Sequence, residues 1–164
     1  MCGIVAGISS KNIIPILLKG LKRLEYRGYD SCGIATIEKG KLTRFRSVSR
    51  VEFLAENIRK ADYLPGMIGI AHTRWATHGA PEIKNTHPHF SHDILAIVHN
   101  GIIENYRELK SSLIDKGYEF QSDTDTEVVV HLIHSFYEGD LFSAFKKSSS
   151  FIKRCVCYCS DVQR

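Results

Sequence analysis

The second residue is a cysteine, and removal of Met1 would leave its thiol and a free α-amine on one residue. An α-amine titrates near ~7.7–8.0 and a free thiol near ~8.5, so at neutral pH the amine is partly neutral and can take the thiol proton, directly or through a water. N-terminal amines activate side-chain nucleophiles in this way. Cys2, Ile4 and Val5 also suit the opening of a buried strand, in which the thiol would be inert packing. Other residues have the chemistry that such a nucleophile needs. Asn100-Gly101 sits between two apolar runs and is a hairpin signal. A tight turn there also exposes the Asn amide and the Gly N–H together, the donors that an oxyanion hole for acyl transfer requires. Arg74 and Asp125 each end a segment at a loop edge. They read either as ordinary surface charges or as a clamp for an α-amino acid, the guanidinium gripping its carboxylate and the carboxylate its ammonium. His87, His89 and His92 stand close together, but no cysteine pair at zinc-finger spacing and no HExxH accompanies them, so no metal and no cofactor is expected.

Several elements must hold these residues. Asn12 can cap a helix from Ile13 to about Tyr26, with Ile14, Leu17, Leu21 and Leu24 on one face. Cys32–Glu38 and Leu42–Val48 read as strands around a Lys39-Gly40 turn. Ser49 and Glu52 have capping-box spacing ahead of a helix with Val51, Leu54 and Ile58 inward. Met67–Thr73 and Ile94–His99 are short apolar runs fit for buried strands. The stretch from Arg74 to Asp93 shows no hydrophobic period and is expected to be an ordered, functional loop. Asn105 with Glu108 can cap a helix to about Lys116, Tyr118–Phe120 reads as a short strand, and helices should start near Asp125 and at Asp140. Strands arrive in adjacent pairs, which favours antiparallel sheets with helices packed outside, an α+β class.

The 164 residues fit one domain of ordinary globular composition, 43% hydrophobic and 24% charged. No apolar run reaches the ~20 residues of a membrane span, and the N-terminus lacks the basic region of a signal peptide. The expected location is therefore cytoplasmic, with reduced cysteines. The net charge of +4 lies entirely in residues 146–164, which carry five basic and one acidic side chain. A neutral body of this kind lacks the basic stripe of a nucleic-acid surface.

Six stretches together carry a resemblance: Cys2-Gly3-Ile4-Val5, Leu24 to Ser31, His72-Thr73-Arg74-Trp75-Ala76-Thr77-His78-Gly79, His87-Pro88-His89, His99 to Asn105, and Ser122 to Glu127. They resemble the glutaminase domain of the glutamine–fructose-6-phosphate aminotransferase family, class II glutamine amidotransferases with an N-terminal nucleophile. The resemblance covers residues 1–147 and implies an N-terminal-nucleophile (Ntn hydrolase) fold, a four-layer αββα sandwich. It implies Cys2 as nucleophile with its own amine as base, and Asn100 and Gly101 as the oxyanion hole. Arg74 would hold the α-carboxylate of glutamine and Asp125 its α-ammonium, with Trp75, Thr77 and His78 lining or closing the pocket. Glutamine would be hydrolysed through a γ-glutamyl thioester. The ammonia would serve conversion of fructose 6-phosphate to glucosamine 6-phosphate in hexosamine biosynthesis, on isomerase domains that this sequence lacks. Full-length members commonly form homodimers.

After Lys147 the resemblance stops. Ser148-Ser149-Ser150 leads into Cys155-Val156-Cys157-Tyr158-Cys159, which has three of the five cysteines. The expectation is a truncated glutaminase domain at 1–147, a sandwich incomplete at its C-terminal end, with an unrelated and possibly frameshifted tail at 148–164. The alternative function is an inactive fragment or a non-catalytic glutamine-binding module.

Overall fold

Four segments form one antiparallel sheet in the computed structural model, which describes residues 2–61, 63, 65–76 and 79–153. They are β1 (Gly3–Ile8), β2 (Ser31–Glu38), β3 (Lys41–Ser47) and β4 (Ile68–Arg74), in the order β1-β4-β2-β3. The β2–β3 turn places Lys39 and Gly40 at φ 49° and 78°, the left-handed pair that a two-residue hairpin needs. The pairings Ile4↔His72, Val5↔Ala71 and Gly33↔His72 decide which side chains share a face, because partners across a ladder point the same way and alternate along each strand. Val5, Ile34 and Ala71 face outward against two helices, α1 (Ile14–Leu24) and α2 (Val51–Lys60). Leu17, Leu21 and Leu54 of these helices are fully buried, each contributing about 1.5–3 kcal/mol.

The other face of the sheet looks inward onto a second, two-stranded antiparallel sheet, β5 (His89–Ser91) and β6 (Leu95–Ile97). Behind it lie α3 (Tyr106–Asp115), α4 (Thr126–Ser135) and α5 (Leu141–Ser149). The layers are helices, sheet, sheet, helices: the αββα sandwich. Every residue of α4 from Thr126 to Ile133 is buried, because the helix is enclosed by the small sheet, α3 and α5. Two strands cannot cover a face made by four. The uncovered part is a cleft of about 810 Å³ between the sheets, walled by Ala35, Ile37 and Ile70 on one side and Ile97, Val130 and Phe145 on the other.

Several local expectations are corrected. Ser49 does not cap α2. Arg50 takes the N-cap position without a side-chain bond, and the open Val51 N–H donates to Tyr29 Oη (2.9 Å) and Glu25 Oε1 (3.3 Å) instead. Asn105 makes no cap on α3. Its Nδ2 donates to the Phe151 carbonyl (2.8 Å) and its Oδ1 accepts from Lys153 N–H (2.9 Å). Tyr118–Phe120 is not a strand: Tyr118 Oη meets His134 Nδ1 at 3.0 Å, so the segment lies on the helices. The Asp140 cap is present, accepting from Phe142 N–H. The tail expected from Ser148 is described only to Lys153. Ser148 and Ser149 extend α5, Phe151 stacks on Phe136 at 5.4 Å between ring centres, and Cys155, Cys157 and Cys159 lie outside the described residues.

Candidate active site

The inner face of the large sheet is polar at one end and apolar at the other. Ile4, His72 and Arg74 share it by register, and Cys2 stands one place beyond Gly3, opposite Arg74. The thiol is held by the chain that leaves β4: Trp75 N–H donates to Cys2 Sγ at 3.1 Å, and Sγ–H can donate to the Trp75 carbonyl at 3.5 Å. Cys2 is half-buried and Trp75 is exposed, so the sulfur is reachable. Arg74 is 3% exposed. Its guanidinium donates to the Gly79 carbonyl (3.0 Å), the Ala80 carbonyl (3.4 Å) and Asp30 Oδ1 (3.5 Å). Asp30 also accepts from Ala76 N–H. One carboxylate thus fixes both the arginine and the start of the following loop.

Among its described residues, 75–76 and 79–93, that loop contains a 3₁₀ turn at Ile83–Asn85 and β5. Asn85 is fully buried and reads both neighbours: Nδ2 donates to Ala80 O (3.0 Å), and Oδ1 accepts from Asp123 N–H (2.8 Å). The loop then crosses the inner face directly over Gly33, where a Cβ would come within 2.1 Å of the His87 carbonyl. Only glycine permits this approach. From β3, Arg46 donates to the Thr86 carbonyl (3.3 Å) and Arg44 to the Pro88 carbonyl (3.3 Å).

Asn100-Gly101 is not a hairpin. Ile103 does not pair back on β6: its side chain is 1% exposed in the core, and its N–H donates to Asp125 Oδ2 at 2.8 Å. His99 Nδ1 lies 3.2 Å from Thr126 Oγ1 on the other side of the turn. Burial of Ile103 and these two bonds to the start of α4 outweigh the local turn preference. Gly101 has φ 148°, a conformation open to glycine and costly for other residues. Asn100 is exposed, and its Oδ1 lies 2.8 Å from His72 Nε2, which ties the turn to the large sheet.

Asp125 is buried at the N-terminal end of α4. The segment before it is pinned by Glu127, which accepts from Gln121 N–H (2.9 Å), Ser122 N–H (2.7 Å) and Ser122 Oγ (2.6 Å). Burial alone would raise the Glu127 pKa, but the neighbouring His131 imidazole, 3.7 Å away, and hydrogen bonds from Ser122 and the two N–H groups outweigh it and hold the carboxyl below its usual range. The site therefore brings Cys2, at the start of β1, together with Arg74 and Trp75, at the end of β4, and joins Asn100-Gly101 to Asp125 through Ile103. Thr77 and His78 lie outside the described residues. Asp30, His72 and Glu127 were not singled out from sequence. The signal was present: His72 ends an apolar run on its inner-facing parity, and Asp30 and Glu127 lie within the quoted stretches.

His72, His87 and His89 pack in a row, with ring centres 4.2 Å apart in a tilted pair and 4.6 Å apart in an edge-to-face pair. Burial lowers the pKa of all three, His72 to about 4. The unfolded chain takes up these protons near pH ~6.5 while the folded chain refuses them. Their contribution to stability is complete above that pH and is lost as pH falls toward 4. Urea midpoints are expected to be lower at pH 5 than at pH 7.5, and equal midpoints would overturn this. Among the described residues no three His, Cys, Asp or Glu side chains are arranged to hold a metal ion, and no helix is long and apolar enough to cross a membrane.

Comparison with known proteins agrees with this geometry. A sequence family described as the glutamine amidotransferase domain matches residues 72–152. Glutamine–fructose-6-phosphate aminotransferase (isomerizing) of Bordetella pertussis is 54% identical over 153 residues, covering 90% of this chain and 25% of the relative. The protein of the same name from Pseudomonas aeruginosa is 56% identical over 149 residues, 89% of this chain and 24% of the relative. The chain thus spans about a quarter of the length of these relatives. Among solved structures, the glutamine phosphoribosylpyrophosphate amidotransferase of B. subtilis, complexed with ADP and GMP, superposes with a TM-score of 0.74 at 30% identity, covering 93% of this chain and 33% of that one. A structure described as the allosteric regulatory enzyme of purine biosynthesis gives 0.76 at the same identity and coverage. The fold, the cysteine-bearing strand end and these likenesses converge: the chain belongs to the glutamine amidotransferase family, with the fold of the N-terminal-nucleophile amidotransferases.

Proposed function

We propose that this chain hydrolyses glutamine at Cys2, once Met1 has been removed. The observation that carries the reading is the Cys2–Trp75 contact at the end of β1, which sets a reachable sulfur beside Arg74 on the same sheet face. The thiol proton passes to the α-amine as sulfur attacks the side-chain amide carbon. Asn100 Nδ2–H and Gly101 N–H receive the charge that develops on oxygen. The C–N bond then breaks, and the ammonium proton departs with ammonia. Water attacks the γ-glutamyl thioester, the amine takes a proton from it, and the returning thiolate is reprotonated. Arg74 holds the α-carboxylate, exchanging a neutral carbonyl acceptor for a charged one, which strengthens the bond. Asp125 holds the α-ammonium, and Trp75, Thr77 and His78 are assigned to line or close the pocket.

We further propose that the ammonia serves aminosugar formation from fructose 6-phosphate on an isomerase portion outside this chain, in a cytoplasmic homodimer. The glutaminase unit, expected at residues 1–147, is assigned through Lys153, because Ser148 and Ser149 complete α5 and Phe151 stacks on Phe136, with the residues beyond it a separate tail. The name of these relatives, glutamine–fructose-6-phosphate aminotransferase (isomerizing), supports the aminosugar reading. A second reading, glutamine binding without turnover, is favoured by the burial of Arg74 and Asp125, which could hold the α-carboxylate and α-ammonium without any reaction at Cys2. The experiment is ammonia release from glutamine by the purified chain, with calorimetry on the same sample. Turnover supports hydrolysis, heat of binding without ammonia supports the second reading, and neither signal overturns both. Asp125→Asn is expected to raise the KM for glutamine by about 10–100-fold, the loss of one buried charge-assisted contact. An unchanged KM would remove Asp125 from the ammonium site.

A further inference from the structure

We propose that His72 is a positioning residue that turns the Asn100 carboxamide so that its NH2 group, and not its oxygen, faces the reacting carbonyl. The inference rests on the assignment of Asn100 to the oxyanion hole and adds the reason it can serve there. A carboxamide has an acceptor at one end and a donor at the other, and the two differ little in shape. An exposed asparagine at a turn could present either. Facing the developing oxyanion, the oxygen would repel charge where the nitrogen stabilises it. Something must choose between them.

His72 is placed to choose. It lies 1% exposed on β4, and its Nε2 is 2.8 Å from Asn100 Oδ1. The ring cannot swing away, because it packs on His87 with centres 4.2 Å apart and its strand is paired on both sides, Ile4↔His72 and Gly33↔His72. Burial, with the Arg74 charge nearby, keeps the imidazole neutral at pH 7, so it has one N–H only. Nδ1 is buried without a hydrogen-bond partner. A buried N–H left unpaired is rarer and more costly than an unpaired acceptor, so the proton belongs on Nε2. Nε2–H then donates to Oδ1, and the Asn100 NH2 is directed away from His72. The Ile103 and His99 bonds to α4 hold the main chain on either side, so the side-chain torsion is the freedom that His72 removes.

The test uses the full chain with Met1 removed. His72→Phe, which lacks the donor, is expected to lower kcat for glutamine hydrolysis by about 10²–10³-fold, the usual effect of losing one oxyanion donor, with KM changed less than about threefold. His72→Gln places an amide N–H near the Nε2 position and should recover kcat to within about tenfold of the parent. Adding His72→Phe to Asn100→Ala should cost little more than Asn100→Ala alone, because both remove the same contact. A full additive loss, or a His72→Phe effect confined to KM or to stability, would overturn the proposal while leaving Asn100 in the oxyanion hole. If Asn100→Ala itself has no effect, the oxyanion assignment fails first and the proposal with it. A measurement independent of turnover and of mutant folding is the 15N spectrum of the His72 ring in the parent chain: the Nε2–H tautomer supports the inference, and Nδ1–H overturns it.

Discussion

Cys2→Ala is expected to reduce ammonia release from glutamine to background, a fall of about 10³-fold or more, as for removal of other catalytic nucleophiles. The fold should be indifferent to the change. Cys2 precedes β1 and is half-buried, and truncation at such a site is usually worth less than about 0.5 kcal/mol. What is lost is the attacking sulfur that Trp75 N–H holds at 3.1 Å. Far-UV circular dichroism and urea midpoint should therefore match the parent while turnover vanishes. Cys2→Ser should follow Cys2→Ala in turnover, since a hydroxyl is a far weaker nucleophile at neutral pH. Retention of Met1, read by intact mass, should be equally inactivating, because an acylated nitrogen cannot accept the thiol proton. Turnover by Cys2→Ala would remove Cys2 from the mechanism, and turnover by chains that keep Met1 would remove its α-amine as the base.

Glu127→Ala is expected to have the largest effect on stability, about 3–5 kcal/mol, the summed cost of leaving donors of a mostly buried carboxylate network unpaired. The carboxylate serves Gln121 N–H, Ser122 N–H and Ser122 Oγ at 2.6–2.9 Å, with His131 Nε2 at 3.7 Å. Its removal strands these donors in the interior next to Thr124 and Asp125. Against a total stability of about 5–15 kcal/mol, that loss would leave a marginal protein. The urea midpoint should fall with the slope of the transition unchanged, and Glu127→Gln, which keeps one acceptor, should fall less. Because the fold lowers the Glu127 pKa, its contribution is complete above the unfolded value of ~4.3 and is lost as pH drops toward the folded one. The variant should lack that part of the acid slope. A midpoint within experimental error of the parent would show that the 121–125 segment is held by other means. The same segment presents Asp125, so a folded variant should also bind glutamine more weakly.

Much of the architecture could be read locally. Leu17, Leu21 and Leu54 fall at helical spacing and are buried where that spacing puts them. The Lys39-Gly40 hairpin follows from its turn residues, and Asp140 caps α5 as its position suggests. Other local signals were overruled. The Ser49–Glu52 capping box lost to Tyr29 and Glu25, which arrive from another element. The Asn100-Gly101 hairpin lost to the burial of Ile103 and its bond to Asp125. Tyr118–Phe120 has strand-forming residues but no strand beside it, and extended chain without a ladder partner has no reason to be a strand.

For the site, residue types in the sequence raised a candidate nucleophile at Cys2, left Asn100-Gly101 open between a hairpin and an oxyanion hole, and left Arg74 and Asp125 open between surface charges and an amino-acid clamp; the family resemblance supplied the choice. Such candidates follow from properties of side chains and of local turns. Which atoms meet was decided only by tertiary structure. Register across β1 and β4 sets Cys2 opposite Arg74, Asp30 and the Gly79 and Ala80 carbonyls hold the guanidinium, and His72 meets Asn100 across 28 residues of chain. Contacts of that kind depend on strand pairing and on the packing of one sheet over another, terms summed over the whole chain and invisible to a window of a few residues.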